Sequence, residues 1–345
     1  MQYVKLGNTG VDVSRICLGM MSFGKPGKEN GVFPWAVEFD EAKASFKKAI
    51  DLGINFFDTA NVYQLGTSEI VTGKLIKEFG LDRDDIVVTT KVDMVMRPGR
   101  PNGGGLSRKE ILSEIDKSLE RLQLDYVDLY PIHRLDPYTP MEETMEALHD
   151  VVKSGKARYI GASTMFAWQL ERMQQIAERN GWTKFVSMQN QYNLMYREEE
   201  QEMIPLCQDR KMAIIPWSPL AGGRVAHPWG TVTERSKIDE VSPMVWGAFE
   251  DIDKPVVDNL EQMAAKRGIS MAQMALAWIL SKPYVTAPIV GTTSPKHVEE
   301  AVAALDIQLT EEEIAALEAP YKAHFVQNQH VPVVNNTPYR VMKSF

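Results

Sequence analysis

Three ionisable side chains occupy equivalent places in this sequence. Asp58 directly follows Phe56-Phe57, Lys91 follows Val87-Val88-Thr89-Thr90, and His133 follows Leu129-Tyr130-Pro131-Ile132. Each stands just past a short apolar run that reads as a strand. Tyr63 lies in a polar stretch shortly after Asp58 and can reach back over the same region. These residue types suit carbonyl reduction, in which a hydride reaches carbon and a proton must reach oxygen. A phenol with a pKa of about 10 is a slow acid at neutral pH. A neighbouring Lys91 ammonium would lower that pKa, and Asp58 would hold Lys91 charged and oriented. His133 could hydrogen-bond the carbonyl oxygen or relay a proton. Taken singly, Asp58 caps a turn, Lys91 ends a strand, His133 beside Arg134 is solvated and Tyr63 packs. Their joint placement at successive strand ends is what carries the chemical reading.

Such residues meet only if the strands are parallel and their carboxyl ends converge. Candidate strands fall at 16–18, 55–57, 86–90, 126–132, 157–160, 185–188, 212–216 and 286–290. Helical periodicity fits 39–52, 68–79, 111–122, 141–154, 166–180, 198–210, 256–267, 270–281, 295–305 and 310–319. Eight alternating units predict an α/β fold, a (β/α)8 TIM barrel with its active site at the carboxyl-end face. Asn8-Thr9-Gly10 predicts an N-terminal β-hairpin, and 270–281 and 310–319 are two extra helices near the C-terminus. Ser107-x-x-Glu110 and Thr310-x-x-Glu313 read as capping boxes. Irregular stretches at 24–38, 94–106 and 221–254 follow strands one, three and seven, where they would ring the mouth. One barrel domain over 1–345 is expected, with 321–345 as an aperiodic tail.

The chain has 345 residues, 44% of them hydrophobic, with 38 Lys and Arg against 46 Asp and Glu. The net charge of −8 disfavours nucleic acid or an anionic membrane as the main partner. Cys17 and Cys207 form no metal or redox motif and read as core residues; no metal site is expected. With neither a secretory signal nor an apolar run of about 18 residues, the expected compartment is cytoplasmic. A homo-oligomer is compatible with the sequence but not required by it. Gly19-x4-Gly24-Lys25 resembles half a P-loop, but Pro26 replaces the magnesium-binding hydroxyl. Gly161-Ala162-Ser163-Thr164-Met165 lacks the last glycine of a nucleophile elbow.

The run Gly53-Ile54-Asn55-Phe56-Phe57-Asp58-Thr59-Ala60-Asn61-Val62-Tyr63, followed by Gly66-Thr67-Ser68-Glu69, resembles the signature of the aldo-keto reductase family. Thr90-Lys91 and Ile132-His133-Arg134 are similar to its other catalytic motifs. The likeness extends to Gly155–Ser163, Gln189–Leu194 and Trp217–Leu220, and is nearest to the bacterial and fungal branch that includes potassium-channel β subunits. It implies that Asp58, Tyr63, Lys91 and His133 form the family's tetrad. It also implies NADPH bound without a dinucleotide fold, with NADH less favoured.

By position in the family, Ser163 and Gln189 would hold the nicotinamide carboxamide and Trp217 would stack on its ring, with Asp58 nearby. Ser218, Leu220 and Gly222, with backbone at Gly19 and Met20, would follow the pyrophosphate, Arg224 being a further contact. Gly291, Thr292 and Thr293 lead into a helix whose Lys296, His297 and Glu300 would lie at the adenosine end. Thr164 stands where many members have Asn, and Gly291, His297 and Ala301 also depart from common choices. Phe23, Trp35 and Trp229 would wall the substrate pocket, joined by Met20 and Trp246. The partner implied is a small-molecule carbonyl compound. Two other classes fit the residues: a cofactor-sensing regulatory subunit with slow turnover, and a barrel lyase or isomerase using Tyr63 and Lys91 without net redox change.

Overall fold

Short β-branched runs bounded by turn residues form the strands, and the longer 3.6-periodic stretches between them form the helices. The computed structural model describes residues 1–326 apart from 32, 247 and 248, together with 333–334 and 337–338. β1 (Tyr3–Lys5) and β2 (Asp12–Ser14) pair antiparallel as an N-terminal hairpin. Eight strands follow: β3 (Cys17–Gly19), β4 (Phe56–Asp58), β5 (Val87–Thr89), β6 (Val127–Ile132), β7 (Ala157–Ser163), β8 (Phe185–Gln189), β9 (Ala213–Ile214) and β10 (Ile289–Gly291). They form one parallel sheet in the order β10-β3-β4-β5-β6-β7-β8-β9. Its two ends meet where Ile214 bridges Val285 and where Ile289 N–H donates to the Pro216 carbonyl at 2.8 Å. The fold is therefore a (β/α)8 barrel.

Alternation along the strands makes two cores. Cys17, Phe56, Val87, Leu129 and Ala213 pack together with Leu6 and Val13, which bracket the hairpin turn. Leu18, Phe57, Val88, Tyr130 and Ile160 instead join the helices. Those helices are α1 (Phe39–Asp51), α2 (Thr67–Glu78), α3 (Arg108–Leu122), α4 (Met141–Lys153), α5 (Ala167–Asn180), α6 (Met203–Asp209), α7 (Val241–Trp246), α8 (Glu250–Arg267), α9 (Met271–Leu280), α10 (Pro295–Ala303) and α11 (Glu311–Glu318). α2 and α3 touch so closely that a Cβ on Gly73 would lie 2.0 Å from the Leu122 carbonyl oxygen.

Thr310 and Glu313 complete the capping box expected for α11. At α3 only half of the box forms: Ser107 Oγ accepts from Glu110 N–H, but the Glu110 carboxylate is drawn away to Arg97 at 2.7 Å. A full box that sequence reading missed, Ser270 with Gln273, starts α9. The stretch 221–254 is less irregular than expected. Asp239 Oδ1 accepts from the backbone N–H groups of Val241 and Ser242 and so starts α7. α8 begins at Glu250 rather than 256, because Pro255 removes only one donor while Glu250, Asp251 and Asp253 favour the positive helix start.

The helix expected over 198–210 divides into a 3-10 turn, Glu198–Glu200, and α6. Glu198 is committed instead to the start of the tail, accepting from Tyr321 Oη at 2.5 Å and from His324 N–H at 2.7 Å. Most of the tail expected over 321–345 lies outside the described residues. Cys17 and Cys207 are both buried. No helix among the described residues is long and apolar enough to cross a membrane.

Candidate active site

Asp58 ends β4, and Lys91 and His133 lie just beyond β5 and β6, three neighbouring strands of the sheet. Lys91 Nζ donates to Asp58 Oδ2 at 2.6 Å, to the Thr59 carbonyl at 2.8 Å and to the Tyr63 hydroxyl at 3.3 Å. The Tyr63 ring meets the His133 imidazole edge to face, with centroids 5.6 Å apart. The phenol, ammonium, carboxylate and imidazole therefore share one buried corner of the barrel mouth. Gln189 closes the other side of Asp58, donating from Nε2 to Oδ1 at 2.8 Å.

Burial sets the charges here. It works against the Lys91 ammonium, but Asp58 and then Tyr63 more than offset it, holding Lys91 above the usual lysine range. The Tyr63 hydroxyl departs from the sequence expectation. Burial pushes it above the ordinary phenol range, and the pull of Lys91 downward does not overcome that. His133 is driven well below the usual histidine range by burial, then by the positive charges of Lys91 and Arg134, so its imidazole is neutral. Its Nδ1 is buried and has no hydrogen-bond partner among the described residues.

Beside this corner, Ser163 and Gln189 are directly in register across β7 and β8. Trp217 is fixed by its indole Nε1–H, which donates to Thr164 Oγ1 at 2.9 Å. After it the backbone turns repeatedly through the left-handed region, at Ser218 (φ 50), Ala221 (φ 48) and Gly222 (φ 66). At Gly222 a Cβ would also lie 3.0 Å from the Trp246 indole nitrogen. At Gly19 a Cβ would lie 2.9 Å from an Ile289 methyl. Polar donors on one wall, an anchored indole and glycine-lined backbone suit a flat amide ring followed by a diphosphate.

The sequence model of the aldo/keto reductase family matches residues 15–322. The chain belongs to the aldo/keto reductase family. It is 45% identical over 339 residues to versiconal hemiacetal acetate reductase of Aspergillus parasiticus, covering 93% of this chain and 97% of that protein. It is 42% identical to a protein provisionally named an aryl-alcohol dehydrogenase in Schizosaccharomyces pombe, covering 92% and 95%. With a protein of Fusarium vanettenii named an aldo-keto reductase it shares 39% identity over 94% of this chain and 92% of the other.

In this reductase the outer residues singled out from sequence are more scattered. Thr292 Oγ1 lies 3.2 Å from His297 Nδ1 at the start of α10, with Gly291, Thr293, Lys296 and His297 exposed. Lys296 is 3.8 Å from Glu300. Arg224 approaches Glu250 at 3.5 Å and the Trp229 ring at 5.9 Å. Phe23 is fully buried, in the same core cluster as Met20. Trp35 is partly exposed, next to Phe33 at 5.5 Å, and is covered by Arg235 at 3.7 Å.

Gln64 and Asp93 near the site are not singled out by the sequence, and Arg134 is legible there only as part of the His133 motif. Gln64, fully buried just after Tyr63, accepts from Phe33 N–H at 3.1 Å and donates to the Lys25 carbonyl at 2.8 Å. Its backbone is left-handed at φ 49, which sequence does not announce for Gln. Asp93 and Arg134 lie two and one residues past Lys91 and His133, and that spacing was the available signal.

Proposed function

We propose that this protein reduces an aldehyde or ketone to the alcohol with NADPH, and that Tyr63 supplies the proton. The observation that carries the reading is the chain of contacts from Asp58 through the Lys91 ammonium, at 2.6 Å, to the Tyr63 hydroxyl, at 3.3 Å. When bound, reduced nicotinamide supplies the hydride. Ser163 and Gln189 would hold its carboxamide against Trp217, and the left-handed backbone at 218–222 would follow the diphosphate. The exposed Lys296 and His297 at the start of α10 support a 2′-phosphate and so NADPH over NADH.

The neutral His133 donates a ring N–H to the carbonyl oxygen and fixes it near Tyr63. As negative charge gathers on that oxygen, Tyr63 Oη passes its proton there and Lys91 Nζ stabilises the phenolate left behind. A phenol kept protonated by burial suits this direction, because an alkoxide is the stronger base. Asp58 keeps Lys91 charged throughout. Phe33 and Trp35, and relatives named for a hemiacetal ester and aryl alcohols, support an aromatic or bulky carbonyl substrate. Those reductase and dehydrogenase names support turnover over a purely regulatory subunit.

The decisive experiment is Tyr63→Phe. Carbonyl-dependent loss of reduced-nicotinamide absorbance should fall by about 10²–10⁴, the usual worth of general acid catalysis, with NADPH binding nearly unchanged. Undiminished turnover would overturn the assignment.

A further inference from the structure

Arg134 directly follows His133, just past the end of β6. Its Nη1 donates to the His133 carbonyl at 2.8 Å, and its guanidinium stands 5.7 Å from the Trp217 ring. Its field acts on Tyr63, on His133 and on Asp93. The cation therefore stands near the indole proposed to stack on the nicotinamide and within electrostatic reach of the proposed proton donor.

Its guanidinium has no direct counter-ion, a state it shares with Arg15, whose Nη2 donates to the Leu280 carbonyl at 2.8 Å. Other largely buried arginines hold a carboxylate directly: Arg83 holds Asp128, Arg121 holds Glu69 and Arg197 holds Glu200. Arg134 makes no ion pair among the described residues, although it is only partly exposed and burial lowers its pKa. The nearby carboxyl does not fill the role. Asp93 is only 6% exposed, and burial with the neighbouring Asp136 holds its pKa up to about 8, so at neutral pH it is largely uncharged. Lys91, by contrast, is already matched by Asp58. One guanidinium without a direct ion-pair partner among the described residues thus remains beside the reacting corner. Buried charges of this kind need a partner.

We propose that Arg134 is a specificity-determining residue that binds a carboxylate carried by the carbonyl substrate. A guanidinium offers paired N–H groups matched to two carboxylate oxygens, and those of Arg134 not used by His133 make no hydrogen bond to described residues. Anchoring the anion there places the substrate's carbonyl end toward Tyr63 and His133. This assignment rests on the carbonyl-reductase reading above.

The test separates the two. Wild type, Arg134→Met and Arg134→Lys, each saturated with NADP⁺, are titrated calorimetrically with benzoate and with its neutral isostere benzamide. The same three proteins are assayed with NADPH on benzaldehyde and the three carboxybenzaldehyde isomers. Wild type should bind benzoate about tenfold or more tightly than benzamide, the scale of one charge-assisted contact. Arg134→Met should erase that preference and Arg134→Lys keep part of it. The kcat/KM ratio of the best carboxybenzaldehyde to benzaldehyde should fall by a similar factor in Arg134→Met. A preference that survives in Arg134→Met, or equal losses for charged and neutral ligands, would overturn the proposal. If neither aldehyde is reduced, the reductase reading fails, and the benzoate titration still decides whether Arg134 binds an anion.

Discussion

The ammonium of Lys91 lies 2.6 Å from a carboxylate oxygen of Asp58, and the two side chains are 2% and 3% exposed. So dry a pair is costly to break, because the surviving partner becomes an unmatched buried charge. Asp58→Asn and Lys91→Met should each lower stability by about 3–5 kcal/mol. The double variant Asp58→Asn/Lys91→Met should lose less than the sum. Chemical denaturation of the four proteins gives the coupling directly.

Thr164 accepts the Trp217 indole N–H at 2.9 Å. Thr164→Val keeps the shape but strands that donor, a loss of about 1–3 kcal/mol. If the indole is the nicotinamide platform, the Kd for NADPH should rise roughly three- to tenfold or more. Cofactor fluorescence titration measures this, and kcat should change less than in Tyr63→Phe.

The pH profile of reduction follows from the direction of two shifts. The Tyr63 phenol is pushed up, so its proton-donating form persists at neutral pH and is lost only above the ordinary phenol value of about 10. His133 is pushed well down and stays neutral across the same range. The expected kcat profile is flat from about pH 7 to 10 and falls beyond it. A descending limb centred near pH 7 would contradict this picture.

Asp93 ties pH to stability. Its folded pKa of about 8 lies above the ordinary value near 3.9, so the folded state binds this proton more tightly than the unfolded chain. The contribution is fully present below about pH 4 and is lost as pH rises toward 8, at up to about 1.4 kcal/mol per pH unit. Glu199, held up to about 8 by burial and by Glu198, adds a slope of the same sign. Asp93→Asn should flatten the fall in Tm over this interval.

Gly73 sits where α2 crosses the end of α3, and a methyl there would penetrate a backbone carbonyl rather than a movable side chain. Gly73→Ala should destabilise by about 3 kcal/mol, at the upper end of ordinary overpacking. Thermal melting monitored by circular dichroism would register it.

Much of the barrel was legible because the strands are short, apolar and bounded by turn residues, and because Asp58, Lys91 and His133 stand at equivalent strand ends. Contacts between distant loops were not. Nothing local to Thr164 says that its hydroxyl will meet an indole at 217, or that Gln64 will adopt a left-handed backbone. α7 hid because its start depends on one Asp239 side chain within a polar stretch. The Tyr63 shift was read in the wrong direction because residue types reveal the neighbouring ammonium but not the degree of burial, which wins.

One amide links the first mouth loop to the proposed acid. Gln64 grips the loop at Lys25 and Phe33, on either side of its tip, and its backbone immediately continues from Tyr63. Changes confined to the tip leave both grips in place and alter only what a substrate meets. Both grips are main-chain groups, so side-chain changes at Lys25 or Phe33 also leave them in place, and only replacement of Gln64 itself releases the loop beside the phenol. The molecule thus hangs this loop on a single side chain, and mutational libraries over the loop should leave turnover largely intact whereas libraries at Gln64 should lose it.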